Sequence, residues 1–145
     1  MKIPVSWLKD FVDLENITVN RLCEALVSVG FEVEEVIELG REISNVVVGE
    51  IISMEKHPDA DKLKVCRVDV GKEVLQIVTA ATNVKTGDKI PLALNGATLA
   101  GGTVIKNGKL RGVASNGMMC GGEELGICEN QYAGASVDGV LILEQ

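Results

Sequence analysis

The sequence predicts a mostly β protein, a small closed barrel preceded by a short α/β segment. Three observations carry this. Glycine is abundant, with 16 residues gathered almost entirely after Gly30, which suits loops and strands better than a helical bundle. Short β-branched runs separated by turn residues fill the chain from Val46 onward. Helical periodicity is confined to the region before Gly30. Apolar residues make up 46% of the chain, enough for a packed core. Aromatics are only 3%, namely Trp7, Phe11, Phe31 and Tyr132, so the core must come from Val, Ile, Leu and Ala.

Lys2–Val5 reads as a short extended start. Ser6 can cap a short helix running to about Val12, with Leu8, Phe11 and Val12 on one side. A second helix is clearer. Thr18 is placed to cap it, Val19, Leu22, Cys23 and Leu26 repeat at helical spacing, and Gly30 offers a left-handed stop. Phe31–Leu39, partly alternating, reads as a strand, and a boundary is expected between Gly40 and Asn45. The predicted domains are therefore 1–40 and 41–145.

Beyond the boundary, Val46–Met54, Lys64–Val70, Val74–Thr79, Lys89–Leu94 and Gly139–Leu143 read as strands. Turn signals punctuate them at His57-Pro58-Asp59, Asp69–Lys72, Thr86-Gly87-Asp88, Asn95-Gly96, Gly101-Gly102 and Asn107-Gly108. A short helix or turns are expected near Glu123–Leu125. Five or so strands in about 100 residues suit a small Greek-key barrel, for which the OB-fold is the leading candidate.

Net charge is −7, unevenly spread. Residues 1–40 hold eight acids against three bases. An acidic chain is a poor general binder of phosphate backbones, because that attraction needs Lys and Arg, so any nucleic-acid site must be local. No apolar run is long enough to span a membrane, and the start lacks a signal-peptide apolar region, so a cytoplasmic protein is expected. Cys23, Cys66, Cys120 and Cys128 form no C-x-x-C pair, and no metal site is expected. There is no phosphate loop and no nucleophile-base constellation, so no catalytic residue is assigned. The chain reads as a binding or docking module.

Two stretches stand out. "HPDADKLKVCRVDVG", His57–Gly71, holds the single histidine. Pro58 forces His57 toward extended backbone, and Asp59 and Asp61 suit a turn, so the stretch reads as a turn launching a strand. His57 is expected to be structural. Whether Cys66 faces inward is left open. "KLRGVASNGMMCGGEELG", Lys109–Gly126, offers two bases, a hydroxyl, an amide and two methionines. It could contact an unpaired base, but composition favours a Gly-rich connection whose methionines fill core gaps.

With those residues in view, "VVVGEIISMEKHPDADKLKVCRVDVG", "LQIVTAATNV" and "KLRGVASNGMMCGGEELG" resemble, in order, the tRNA-binding OB domains of aminoacyl-tRNA synthetases and of free-standing tRNA-binding proteins. "MKIPVSWLKDFVDL" and "LCEALVSVGFEVEEV" resemble the start of bacterial phenylalanyl-tRNA synthetase β subunits specifically. The resemblance implies an N-terminal fragment, ending here on a strand in "DGVLILEQ", whose first 40 residues are half of a split domain. It implies a parent (αβ)₂ ligase with partners in the α subunit and the rest of β. That ligase would use ATP and Mg²⁺ to attach phenylalanine to its tRNA, with no cofactor in this fragment.

On the same resemblance, Asn83, Ser115, Gly117 and Met118 match positions of the nucleic-acid face. Lys62, Lys64, Arg67, Arg111 and Asn116 complete the expected RNA-binding set. Two departures from the pattern are visible. Thr79-Ala80-Ala81-Thr82 stands where relatives carry Cys, Gly and Pro, and Gly121-Gly122 follows Cys120 where "SE" is expected. Alternative functions are a docking module whose RNA face is vestigial, or a free-standing tRNA-binding protein.

Overall fold

A computed structural model describes residues 1–143; the last two residues of "DGVLILEQ", at 144 and 145, lie outside the described residues. The chain divides into two compact units, Met1–Glu38 and the residues from Leu39 onward.

The first unit holds two helices, α1 (Val5–Leu8) and α2 (Val19–Ser28). α1 starts after Pro4 rather than on a Ser6 cap, and ends early in turns that reach Val12. Proline's fixed φ suits a helix entrance, which removes the need for a serine cap. α2 follows the sequence closely. The Thr18 hydroxyl accepts the Arg21 N–H at 3.3 Å. Gly30, at φ 95°, ends the helix: its N–H donates to Val27 O and the next N–H, of Phe31, donates to Leu26 O. That pair of bonds satisfies the carbonyls left over at a helix end. The strand expected over Phe31–Leu39 is not formed, and the segment is irregular. A strand exists only with a neighbour to pair with, and the described residues of this unit offer none. None of residues 1–38 is buried; Trp7, Phe11 and Phe31 are each at least 66% exposed.

The second unit is built on β1 (Ser44–His57), 14 residues long and the centre of the sheet. Its first half pairs antiparallel with β4 (Lys89–Thr98) and its second half with β2 (Ala60–Asp69). β2 pairs in turn with β3 (Val74–Thr79). Irregularities at Ile51/Ser53 and Lys56/His57 bend β1, as bulges do, so that one strand can serve two sides of a curved sheet. A hairpin follows, β5 (Gly108–Leu110) with β6 (Val113–Ser115), and then β7 (Met118–Met119) on the far side of β4. The predicted turn at Asn95-Gly96 is instead an irregular stretch within β4, because β1 skips from Val46 to Ser44 while β4 runs from Ala93 to Thr98.

The sheet closes through residues 115–119. β3 would be an open edge, but Gln76 O accepts the Asn116 N–H at 2.8 Å and the Val78 N–H donates to Ser115 Oγ at 3.0 Å. The circuit therefore runs β1, β2, β3, the 115–119 segment, β4 and back to β1. This is the five-stranded OB-type barrel expected from the sequence.

Alternation fills the interior. Met54, Cys66 and Ile77 face one another across β1, β2 and β3, with Ile51, Val68 and Leu75 in the neighbouring row. Ile51, Cys66, Val68, Ile77, Ile90 and Leu92 are almost fully buried, so Cys66 faces inward. The predicted strand over Gly139–Leu143 is reduced to a single bridge, Leu143 with Lys89, plus a bond from the Leu141 N–H to Cys120 O. Its alignment comes from a side chain: Asn83 donates to Val140 O at 2.7 Å and accepts the Val140 N–H at 3.1 Å, as a paired strand would. Gly121-Gly122 is explained by the same packing. A Cβ at Gly121 would collide with the Gly139 carbonyl, and one at Gly122 with that of Ala135.

Burial raises the Cys66 thiol's pKa, with nearby Lys64 pulling the other way, and pushes Cys120 up to about 11. Cys128 is exposed. Iodoacetamide at pH 8, read by peptide mass mapping, is expected to modify Cys128 in the folded protein and leave Cys66 and Cys120 unmodified until denaturant is added.

Candidate nucleic-acid interface

The polar residues of the expected RNA-binding set fall into an inward group and an outward one. Asn83 uses both ends of its amide on Val140. Ser115 is 7% exposed; its hydroxyl accepts from the Val78 N–H and donates to Gly117 O at 3.1 Å. Both side chains therefore hold the barrel together. Met118 is half-buried on β7 opposite Ala93. Asn116 joins them through its backbone, while its half-buried side chain makes no hydrogen bond within the described residues.

The cations separate by strand alternation. Lys64 shares a face of β2 with Cys66; Arg67 is on the opposite face, aligned with Ser53 and Gln76. Lys62 is exposed in the irregular stretch between the Lys56–Lys64 and His57–Ala60 pairs. Lys64 stands one step beyond the packed row, half-buried, directly across from Lys56 on one side and Thr79 on the other. Two like charges directly opposite on neighbouring strands repel, with nothing gained for the fold. Among the described residues the one ion pair is Arg21–Glu24, so Lys56, Lys62, Lys64, Arg67, Lys109 and Arg111 have no carboxylate within 4.0 Å.

Lys109 and Arg111 join this end of the barrel through His57. The imidazole is 5% exposed. Its Nδ1 accepts the Asp59 N–H at 3.1 Å, so that nitrogen carries no proton. Nε2 then holds the ring proton and donates to Leu110 O at 3.0 Å. His57 is thus structural, as the sequence suggested, but it ties the β1–β2 turn to the tip of the β5–β6 hairpin.

The tip itself is a two-residue turn, Arg111-Gly112, with φ 50° and 86°. This geometry favours Asn-Gly, because both residues need positive φ. The other non-glycine residues at positive φ are Asn16 and Asn45, the type that tolerates it. Arginine there costs about 1 kcal/mol of backbone strain. The guanidinium is exposed and unpaired among the described residues, so nothing in the fold repays that strain.

The expected set did not contain Lys56 or Gln76, and it left out Lys109, noted in the sequence as one of the two bases of Lys109–Gly126. Gln76 donates from its side-chain amide to Ala114 O at 2.9 Å, a second tether on the hairpin. Lys56 could not be found without the strand register, which alone puts it opposite Lys64. Among the described residues no group of three or more His, Cys, Asp or Glu converges as a metal site, and no helix is long and apolar enough to cross a membrane.

The closed five-stranded barrel defines an OB-type module. Its family follows from comparison. Residues 46–141 match the family model described as "Putative tRNA binding domain", and the chain belongs to that family. Over its whole length it is 53% identical to the phenylalanine–tRNA ligase beta subunit of Clostridium acetobutylicum, covering 18% of that protein. It is 48% identical to the beta subunit of a Synechococcus species, covering 17%. The chain thus spans less than a fifth of the length of the curated relatives it matches. A solved structure of a MetRS related protein from Pyrococcus horikoshii aligns with 52% of this chain and 65% of its own, at 29% identity and a TM-score of 0.42.

Because their polar groups are engaged internally, Asn83→Ala and Ser115→Ala are expected to lower stability by about 1–3 kcal/mol each, read by urea denaturation. At temperatures where both variants stay folded, their RNA affinity should change less than twofold.

Proposed function

We propose that this chain is the N-terminal tRNA-binding module of a phenylalanine–tRNA ligase β subunit. The observation that carries the reading is the 53% identity that extends across the whole chain, including the first unit, to a β subunit several times longer. The first unit, with no buried residue of its own, fits half of a domain completed elsewhere in the subunit. The partners proposed are tRNA, the α subunit and the remainder of β in an (αβ)₂ assembly. The place of work is the cytoplasm. ATP and Mg²⁺ are assigned to the parent ligase and not to this module.

In this reading the cationic end of the barrel contacts tRNA phosphates. The RNA contacts fall to Lys62, Lys64 and Arg111 with Lys56 and Lys109 added, and Arg67 would serve a separate patch on the opposite face of β2. Asn116 and Met118, flanking Gly117, are left for a base. Each phosphate contact releases counterions, so affinity is carried by few charges and falls steeply with salt. A docking module with a vestigial RNA face is the second reading, favoured by the net charge of −7.

Two measurements separate them. Anisotropy titration of labelled tRNA with the 145-residue chain should give log affinity falling linearly with log salt. In Lys64→Ala/Arg111→Ala the slope should shrink by about 1.8, at roughly 0.9 per lost contact. In the assembled ligase the same pair should raise the KM for tRNA severalfold and leave kcat unchanged, since uniform binding is what is removed. Unaltered aminoacylation together with no tRNA binding at low salt would establish the docking reading.

A further inference from the structure

We propose that His57 is the positioning residue of this interface: its ring holds the Lys109/Arg111 hairpin against the lysines of the β1–β2 hairpin, so that the two form one phosphate-binding surface. The proposal rests on the tRNA-binding reading above and adds what organises the site.

Two observations point to it, the His57 bonds, taken by geometry and by position, and the backbone at Arg111. In geometry, Nδ1 takes the Asp59 N–H and Nε2 gives its proton to Leu110 O, across 53 positions of sequence. Both ring nitrogens are engaged, and one neutral tautomer satisfies both bonds. In position, Leu110 immediately precedes Arg111, and the β5–β6 hairpin is only three residues on each side. An isolated hairpin of that size is not stable in water, so its direction depends on outside tethers. Its base is held by Ser115 Oγ on the Val78 N–H and by Asn116 N–H on Gln76 O, its middle by the Gln76 side chain on Ala114 O, and its tip by His57, from the end of β1, on Leu110 O. The second observation is the strain at Arg111. A residue held at positive φ in an exposed turn, where asparagine or glycine would relax it, points from strain to use.

The ligand class follows from the charges. Lys56 and Lys64 stand opposite each other across β1 and β2 with no carboxylate of the described residues within 4.0 Å of either, although Glu55, Asp59 and Asp61 lie on the same hairpin, and Lys62 is exposed near its turn. The tethered tip adds Lys109 and Arg111. Cations spread over two hairpins fit successive phosphates of a nucleic-acid backbone better than one small anion. His57 touches no ligand in this scheme; it acts through the hairpin.

The test is a mutant cycle on the 145-residue chain with tRNA as probe. His57→Leu removes both ring bonds. His57→Gln keeps a donor for Leu110 O and an acceptor for the Asp59 N–H. His57→Leu is expected to weaken tRNA binding about tenfold at 0.1 M salt and to flatten the salt slope by about 2, the contribution of two contacts. Adding Lys109→Ala/Arg111→Ala to His57→Leu should cost less than a further twofold, and His57→Gln should recover affinity to within about threefold of the parent. A merely structural histidine would leave the slope unchanged and the losses multiplicative. Those results, or a His57→Gln as weak as His57→Leu, overturn the proposal.

If His57→Leu is unfolded by circular dichroism, the unaltered chain decides. The His57 Nε2 proton, followed by ¹⁵N NMR, should exchange about fivefold more slowly with tRNA bound, and unchanged exchange overturns the proposal. Failure of the parent chain to bind tRNA at low salt instead defeats the functional reading itself, which is a distinguishable result.

Discussion

The second unit depends on how the edge of β3 is closed. An open strand edge exposes a row of unpaired donors and acceptors. Here the Ser115 hydroxyl takes the Val78 N–H while the Asn116 N–H meets Gln76 O, and the chain then continues into β7 against β4. Because Ser115 also donates to Gly117 O, one hydroxyl fixes both the closing contact and the bend that follows. Asn83 repeats the device at the end of the described chain, replacing a strand partner for Val140 with a side-chain amide. The barrel is thus completed by two side chains where full strands would otherwise be needed. With those bonds made, no buried side-chain nitrogen or oxygen among the described residues is left without a partner.

This closure also sorts the residues that resemble a nucleic-acid face. Asn83 and Ser115 each make one donated and one accepted bond within the barrel, so both side chains are part of the architecture. The cations are different. They stand exposed or half-buried, unpaired among the described residues, on a chain with seven more negative than positive charges. The acidic excess is concentrated before residue 41, in the unit without a buried core. The barrel unit carries nearly balanced charge, so a local cluster can attract phosphates without a basic protein around it.

Much of the fold was legible residue by residue. Thr18 and Gly30 bracket α2 because capping is local chemistry. The runs that became β1 to β4 were visible as alternation or β-branched stretches. The misreadings share a cause. Phe31–Leu39 has strand composition but no partner, Asn95-Gly96 has turn composition but lies within a paired strand, and Gly139–Leu143 is aligned by an asparagine 57 positions away. In each case the outcome was decided by pairing, which composition does not contain.

The same division holds for the site. By itself the sequence determined that this is a mostly β module with local cations on an acidic background, that its lone histidine lacks catalytic partners, and which motifs resemble tRNA-binding domains. Only the tertiary structure decided how those residues are placed. Register put Lys56 opposite Lys64, alternation turned Arg67 to the other face, and the imidazole of His57 joined the Arg111 turn to the β1–β2 hairpin. Residue type and spacing set local propensity, because capping and turn bonds reach only a few residues. Strand register and a bond spanning 53 positions arise only when distant segments meet.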